Sequence, residues 1–249
     1  MVVQSSKNRC FPDTQYERAG AEVKDELDEC QVIAGIKPVK IDQLRPGRTY
    51  VMYSRLSSGS EALRPYLKAL LDKKICLIDY ERIRDETGRI LVGSSKLAGF
   101  VGLFNAFRVL GEHLLLRKNI NTSFLHIGGS AYMHKDKHSC ISMLQTAFNT
   151  LFSDGGFSYE MSPFVIGIVG RGVVSDGAIE LLKSCVSSLH FINPSELSDL
   201  YRQEVTPGMR KSVYVTILSR EHYIRRKDGE AFDASAYELK PDEYECNFA

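Results

Sequence analysis

The sequence predicts an α/β fold built on parallel strands, and two observations carry that prediction. Helical and strand-like apolar periodicities alternate along the chain, the pattern of strands joined by crossover helices. The stretch Phe164–Leu182, FVIGIVGRGVVSDGAIELL, then runs from an apolar strand through Gly170-Arg171-Gly172 into a segment of helical spacing that contains Ser175 and Gly177. A dinucleotide site wants glycines at such a turn. The tight bend needs unusual backbone angles, and a pyrophosphate must approach bare main-chain N–H groups at a helix N-terminus. The third fingerprint position is Ser175, not glycine, so the match is partial, and an ordinary strand-to-helix turn reads the same way.

The elements follow in order. Gln15–Cys30 has apolar residues at Ala19, Val23, Leu27 and Cys30, a helical spacing, after which Cys30–Gly35 shifts to a short strand-like run ended by Lys37-Pro38. Arg48–Tyr53 alternates and predicts a strand. Ser60–Lys73 places Leu63, Tyr66, Leu67, Leu70 and Leu71 on one helical face, and Ile75–Tyr80 predicts another strand. Leu97–Leu116 reads as one long apolar helix. Gly99 and Gly102 sit near its start, where small residues allow close approach, and Gly111 interrupts its far end at a cost of ~1 kcal/mol relative to alanine.

Polar Lys118–Ser123 marks the boundary between a first domain, 1–120, and a second, 121–249. A helix from about Lys137 to Phe152 and a turn at Asp154-Gly155-Gly156 lead into the glycine motif. Beyond it, Ser188–Ile192 predicts a second strand, Pro194–Leu200 a turn and helix start, and Ser212–Leu218 a third strand with Val213, Val215 and Ile217 on one face. This is half of a mononucleotide fold, and Glu221–Ala249 is too charged and Tyr-rich to supply further strands of it.

Composition bounds the rest. The 249 residues are 43% hydrophobic and 25% charged, enough for a sizeable core. With 32 basic against 31 acidic residues, no whole-protein field favours nucleic acid or an anionic membrane. The longest uninterrupted apolar runs fall short of the ~20 residues of a membrane span, and MVVQSSKNR has no signal-peptide apolar region. Six scattered cysteines without a C-x-x-C pair point to reduced thiols, not to a disulfide framework or a zinc site. Gly177 is followed by Ala178, so the lysine of a triphosphate-binding loop is missing, and no G-x-S-x-G elbow offers a hydrolase nucleophile. His134 and His138 stand four apart beside Asp136 and Cys140, yet surface histidines on a Lys-rich segment explain them as well as a metal does.

Taken together, eight stretches resemble the lysine–ketoglutarate reductase part of the bifunctional aminoadipic semialdehyde synthases, kin to fungal saccharopine dehydrogenase and more distantly to alanine dehydrogenase. They are Asp13–Gly20, Val32–Lys37, Leu77–Glu81, Leu97–Gly102, Phe124–Gly128, Gly170–Ala178, Asn193–Leu197 and Tyr214–Arg220. Their order and spacing, more than any one of them, carry the likeness. The resemblance implies two Rossmann-like domains of the alanine dehydrogenase type linked by a long helix, both incomplete at the chain ends. It implies NADPH-dependent condensation of lysine with 2-oxoglutarate to saccharopine, a mitochondrial matrix setting in place of a default cytoplasmic one, and a homo-oligomer or a fusion to a saccharopine dehydrogenase domain. NADP(H) would lie on Gly170, Arg171, Gly172, Val173, Ser175 and Gly177, and the family carries serine at the position of Ser175.

That chemistry needs a tuned base and an acid. Lys37 matches the family's catalytic lysine, a residue type that desolvation or a neighbouring cation turns into a usable base. Where the family has its catalytic histidine this chain has Arg55, which can hold a carboxylate bidentately but cannot cycle as a general acid. A family lysine appears as Ser58, and a substrate arginine expected beside Arg89 appears as Ile90. About 20 residues past the glycines, where an NAD-preferring fold places an acid, stands Asn193. This removes a charge that would repel a 2′-phosphate and favours NADP, with Arg171 or Arg202 as phosphate partners. The alternative function is a catalytically inactive relative or fragment that keeps the nucleotide or serves as a structural or interaction protein.

Overall fold

The computed structural model describes residues 1–247. Its contacts divide the chain into two compact units, 1–93 and 94–249.

In the first unit, β1 (Val2–Gln4) pairs in parallel with β2 (Glu22–Lys24), and α1 (Asp13–Arg18) connects them. The helix expected over Gln15–Cys30 is therefore corrected: it stops at Arg18, because Gly20 turns the chain at φ +85°, and Val23 lies in a strand. A second parallel sheet has the order β3 (Val32–Ala34), β4 (Thr49–Met52), β5 (Cys76–Asp79), with α2 (Arg64–Asp72) crossing between the last two. Leu44, Tyr50, Met52 and Leu70 form its buried core, backed by Ile33, Tyr66 and Leu77. Leu67 and Leu71, expected on the same buried face as Leu70, stay exposed.

The second unit opens with α3 (Ser95–Lys118) and α4 (Lys137–Ser153), the latter started by Asp136, whose carboxylate accepts the Ser139 N–H at 2.8 Å. By length and composition α3 could cross a membrane. Its Phe100, Phe104, Phe107, Gly111 and Leu114 instead form a buried stripe at helical spacing. Phe107, Phe124 and Phe148 meet there at centroid distances of 5.0 to 5.2 Å. Through these contacts the long helix lies within the second compact unit, which begins at Ser94, whereas the sequence boundary at 120 assigned it to the first domain.

Next come β6 (Phe164–Val169), α5 (Val173–Cys185), β7 (Leu189–Phe191), α6 (Leu197–Arg202), α7 (Pro207–Arg210) and β8 (Val213–Leu218). All three strands are parallel, in the order β6-β8-β7. In the usual nucleotide-binding half the second strand lies beside the first; here the third lies between them. The tail adds β9 (Ile224–Arg226), α8 (Ala234–Leu239) and β10 (Tyr244–Cys246), the two strands forming an antiparallel pair of their own that does not extend the main sheet.

Glycines set the packing of α3. A Cβ on Gly99 would stand 1.8 Å from the Val174 carbonyl oxygen, and one on Gly177 would stand 1.7 Å from that of Lys96, so α3 and α5 cross backbone to backbone. Gly111 is no mere interruption: a Cβ there would lie 2.6 Å from the Leu125 nitrogen. Gly102, by contrast, has nothing within 4 Å of its Cβ position.

Candidate functional site

The glycine turn joins β6 to α5. Gly170 has φ +88°, a conformation that disfavours side chains, and its N–H donates to the Leu218 carbonyl at 2.8 Å. Gly172 precedes the helix in extended backbone, φ −171°, and a Cβ on it would meet nothing within 4 Å. Neither conformation nor internal packing therefore demands glycine at 172. Ser175 accounts for the partial fingerprint: its Oγ donates to the Gly170 carbonyl at 2.9 Å and accepts the Gly172 N–H at 3.1 Å, tying the turn to the first turn of α5. Arg171 is exposed, Val173 half-buried, and Gly177 faces α3 across the close crossing.

A depression of about 620 Å³ lies at the carboxyl ends of the strands, lined by Arg171, Asn193, Ser195, Leu218, Glu221 and His222 among others. A smaller one beside it, about 160 Å³, adds Phe191, Val215 and Ile217. Open parallel sheets bind ligands at this end. Because β8 intervenes, Asn193 stands about two strand spacings, ~9–10 Å, from the glycine turn. Asn193 starts a helical turn, and its backbone N–H donates to the Glu196 carboxylate at 2.8 Å. Arg171 borders the depression, while Arg202 pairs with Asp199 at 3.3 Å. The His222 ring accepts the Ser219 N–H at 2.9 Å through Nδ1. A side-chain-free approach at Gly172, a helix N-terminus and a cation at Arg171 fit the phosphates of a dinucleotide.

The first unit gathers a second set of residues at the carboxyl edge of β3-β4-β5. The Tyr53 N–H donates to the Ile36 carbonyl at 3.1 Å, so exposed Lys37, just after β3, and exposed Arg55, just after β4, leave the sheet at the same end. Arg55 is one of only three non-glycine residues with positive φ among those described, at φ 62° and ψ 8°. Beneath it, fully buried Ser54 donates through Oγ to the carboxylate of nearly buried Asp79. Asp79 also accepts the Glu81 N–H at 2.9 Å, and Ser54 Oγ accepts the Leu56 N–H at 3.1 Å. The Ser54–Asp79 pair escaped the sequence reading; an acid closing the apolar run Cys76–Asp79 was its one visible signal. Ser58 donates to the Arg55 carbonyl at 2.8 Å, and Ile90 lies 44% exposed on a short hairpin where it bridges to Arg84.

Other reactive groups read as structural. All six cysteines are free, and burial, helped by the neighbouring Cys140, pushes the Cys185 thiol up to about 12, which keeps it from being a nucleophile. His134 packs edge-on against the Phe104 ring at 5.0 Å.

Comparison with known proteins bears on the chain as a whole. Residues 1–100 match the family model described as alanine dehydrogenase/PNT, N-terminal domain. The chain is 29% identical over 248 residues to the mitochondrial alpha-aminoadipic semialdehyde synthases of Bos taurus and Mus musculus, covering 100% of this chain and 26% of each relative. It is 29% identical over 252 residues to the alpha-aminoadipic semialdehyde synthase of Arabidopsis thaliana, covering 98% of this chain and 23% of that one. It thus spans about a quarter of the length of these relatives. A solved L-alanine dehydrogenase aligns over 86% of this chain and 51% of its own, at a TM-score of 0.43 and 16% identity. The resemblance read from the sequence therefore stands: over its whole length the chain is similar to about a quarter of the alpha-aminoadipic semialdehyde synthases, and its first 100 residues match the alanine dehydrogenase/PNT N-terminal model.

Proposed function

We propose that this chain binds a nicotinamide dinucleotide, NADPH in preference to NADH, on the Gly170–Ser175 turn, and serves the reductive condensation of lysine with 2-oxoglutarate to saccharopine. The observation that carries the reading is Gly172: extended, uncrowded and at the start of α5, it is a glycine that the fold does not need and a phosphate would. Similarity to the aminoadipic semialdehyde synthases supports the reaction, and the animal relatives' names support a mitochondrial setting. When bound, the dinucleotide supplies hydride for reducing an imine. The chain's own residues do the rest. Gly170 and Ser175 shape the turn, Arg171 faces the phosphates, and Lys37 takes the proton from the incoming amine.

A second reading rests on Arg55. An arginine does not give up its proton in proteins, so the position of the family's acid is held by a group that can bind but not transfer a proton. In that reading the nucleotide is held without turnover. Absorbance of NADPH followed with lysine and 2-oxoglutarate present separates the two: turnover lost in Lys37→Ala supports the enzyme, and binding without turnover supports the silent relative. Cofactor at 100 times its dissociation constant stabilises a fold by about 2.7 kcal/mol. An unshifted melting curve at saturating NADPH would sink both.

A further inference from the structure

We propose that Arg55 is a carboxylate-binding residue in its own right, and that the buried Ser54–Asp79 pair is the device that aims it. A side chain as large as arginine adopts a left-handed backbone only where its surroundings over-determine it, and such residues concentrate at binding sites. Here the determinants are on both sides of Arg55. Ser54 Oγ is anchored on Asp79 and captures the Leu56 N–H at 3.1 Å, bending the chain around Arg55 from within. Ser58 holds the Arg55 carbonyl from the far side through its N–H at 3.2 Å and its hydroxyl at 2.8 Å. The guanidinium itself is exposed, at the sheet edge where ligands of parallel sheets bind, and exposed Lys37 leaves the same edge.

The chemistry of the turn selects the ligand class. A phosphate site recruits backbone N–H groups that face outward together. In this turn four of them are already engaged: Leu56 donates to Ser54, Ser58 to Arg55, Gly59 to Leu56 at 3.1 Å and Ser60 to Ser58 at 3.4 Å. What remains is a planar fork of guanidinium donors with an ammonium on the same edge, which matches a carboxylate bidentately and a second carboxylate of the same small molecule at Lys37. The Glu81 carboxylate, which follows β5 on this edge, accepts the Ser57 hydroxyl at 2.5 Å. Asp79 and Ser54 are positioning residues, and Arg55 makes the contact. The first unit thereby keeps affinity for a small dicarboxylate whether or not the second unit holds a nucleotide.

The test is calorimetric titration of the full chain, without nucleotide, with glutarate, with 2-oxoglutarate and with inorganic phosphate. Glutarate and 2-oxoglutarate are expected to bind, and phosphate more weakly. Arg55→Gly keeps the left-handed backbone and removes only the fork, so it should fold at least as stably as the parent and lose about ten- to hundredfold in glutarate affinity. Arg55→Lys should retain part of it. Ser54→Ala should weaken glutarate in the parent but add nothing in the Arg55→Gly background, and Ser54→Thr should restore it; a merely structural serine would give additive losses. Absence of glutarate binding, equal affinity in Arg55→Gly, or tighter binding of phosphate than of glutarate overturns the proposal. NADPH titrated separately into the same samples reports on the nucleotide reading, so either can fail alone.

Discussion

Gly170 and Gly172 carry the same letter for different physical reasons, and substitution should separate them. Alanine at 170 is forced into φ +88°, which costs about 1–2 kcal/mol, so Gly170→Ala should lower both melting temperature and NADPH affinity. Alanine at 172 sits in extended backbone with open space around its methyl, so Gly172→Ala should melt like the parent while losing NADPH affinity tenfold or more. Equal affinity in Gly172→Ala, read by calorimetry, would remove the main support for a phosphate on this turn. The glycine pattern was legible because strand, turn and helix are local. The reason for Ser175 was not, since a serine that closes a turn by two hydrogen bonds and a serine on a helix surface are spelled alike. The Ser54–Asp79 pair was hidden for a further reason: its partners stand 25 apart in sequence and meet only when β4 and β5 align.

Among the elements, the long helix was read with nearly correct ends, Leu97–Leu116 expected against Ser95–Lys118 found, because an apolar stretch of that length is too long for a strand. Its partner was not legible. Small residues permit close approach without saying to what, and the reciprocal contact of Gly99 with Val174 and Gly177 with Lys96 is a property of two helices at once. Gly99→Ala or Gly177→Ala should each cost at least 1–3 kcal/mol by overpacking, and the double variant should cost less than their sum, because one separation of the helices relieves both clashes. Chemical denaturation of the three proteins measures this. The same corner holds an electrostatic tie. Hydrogen bonds from Lys137 of α4 and then Lys96 of α3, the latter at 2.6 Å, hold the Glu180 carboxyl of α5 at about 2, below its ordinary 4.5. A depressed carboxylate stabilises the fold above its unfolded value and ceases to do so as pH falls through its folded one. Glu180→Gln should therefore lower the melting temperature at neutral pH, and the gap should close between pH 4.5 and about 2. With the side chain about a third exposed, solvent screening limits the effect to about 1 kcal/mol, or 2–4 °C, and salt should shrink it.

At the scale of the molecule, each unit has its own buried cluster and its own candidate site. Hydrogen exchange should reflect this: NADPH is expected to protect the backbone around 170–176 and 218–222, and glutarate that around 54–58. Parallel strands and crossover helices were legible in the alternation of periods. The order β6-β8-β7 was not, because periodicity tells which residues form strands and is silent on which strands are neighbours. That order has a kinetic consequence. Neither β6 nor β7 pairs with the other, and both pair with β8, which is made last of the three. As the chain leaves the ribosome the two flanking strands must wait, unladdered, until residues 213–218 emerge and thread between them, a closure of long loops that slows assembly. Substitutions in the middle of β8, such as Val215→Ala, should therefore slow refolding, whereas those in β7 should chiefly speed unfolding. The strand in the middle of this sheet is thus also the one expected to set the folding rate of the second unit.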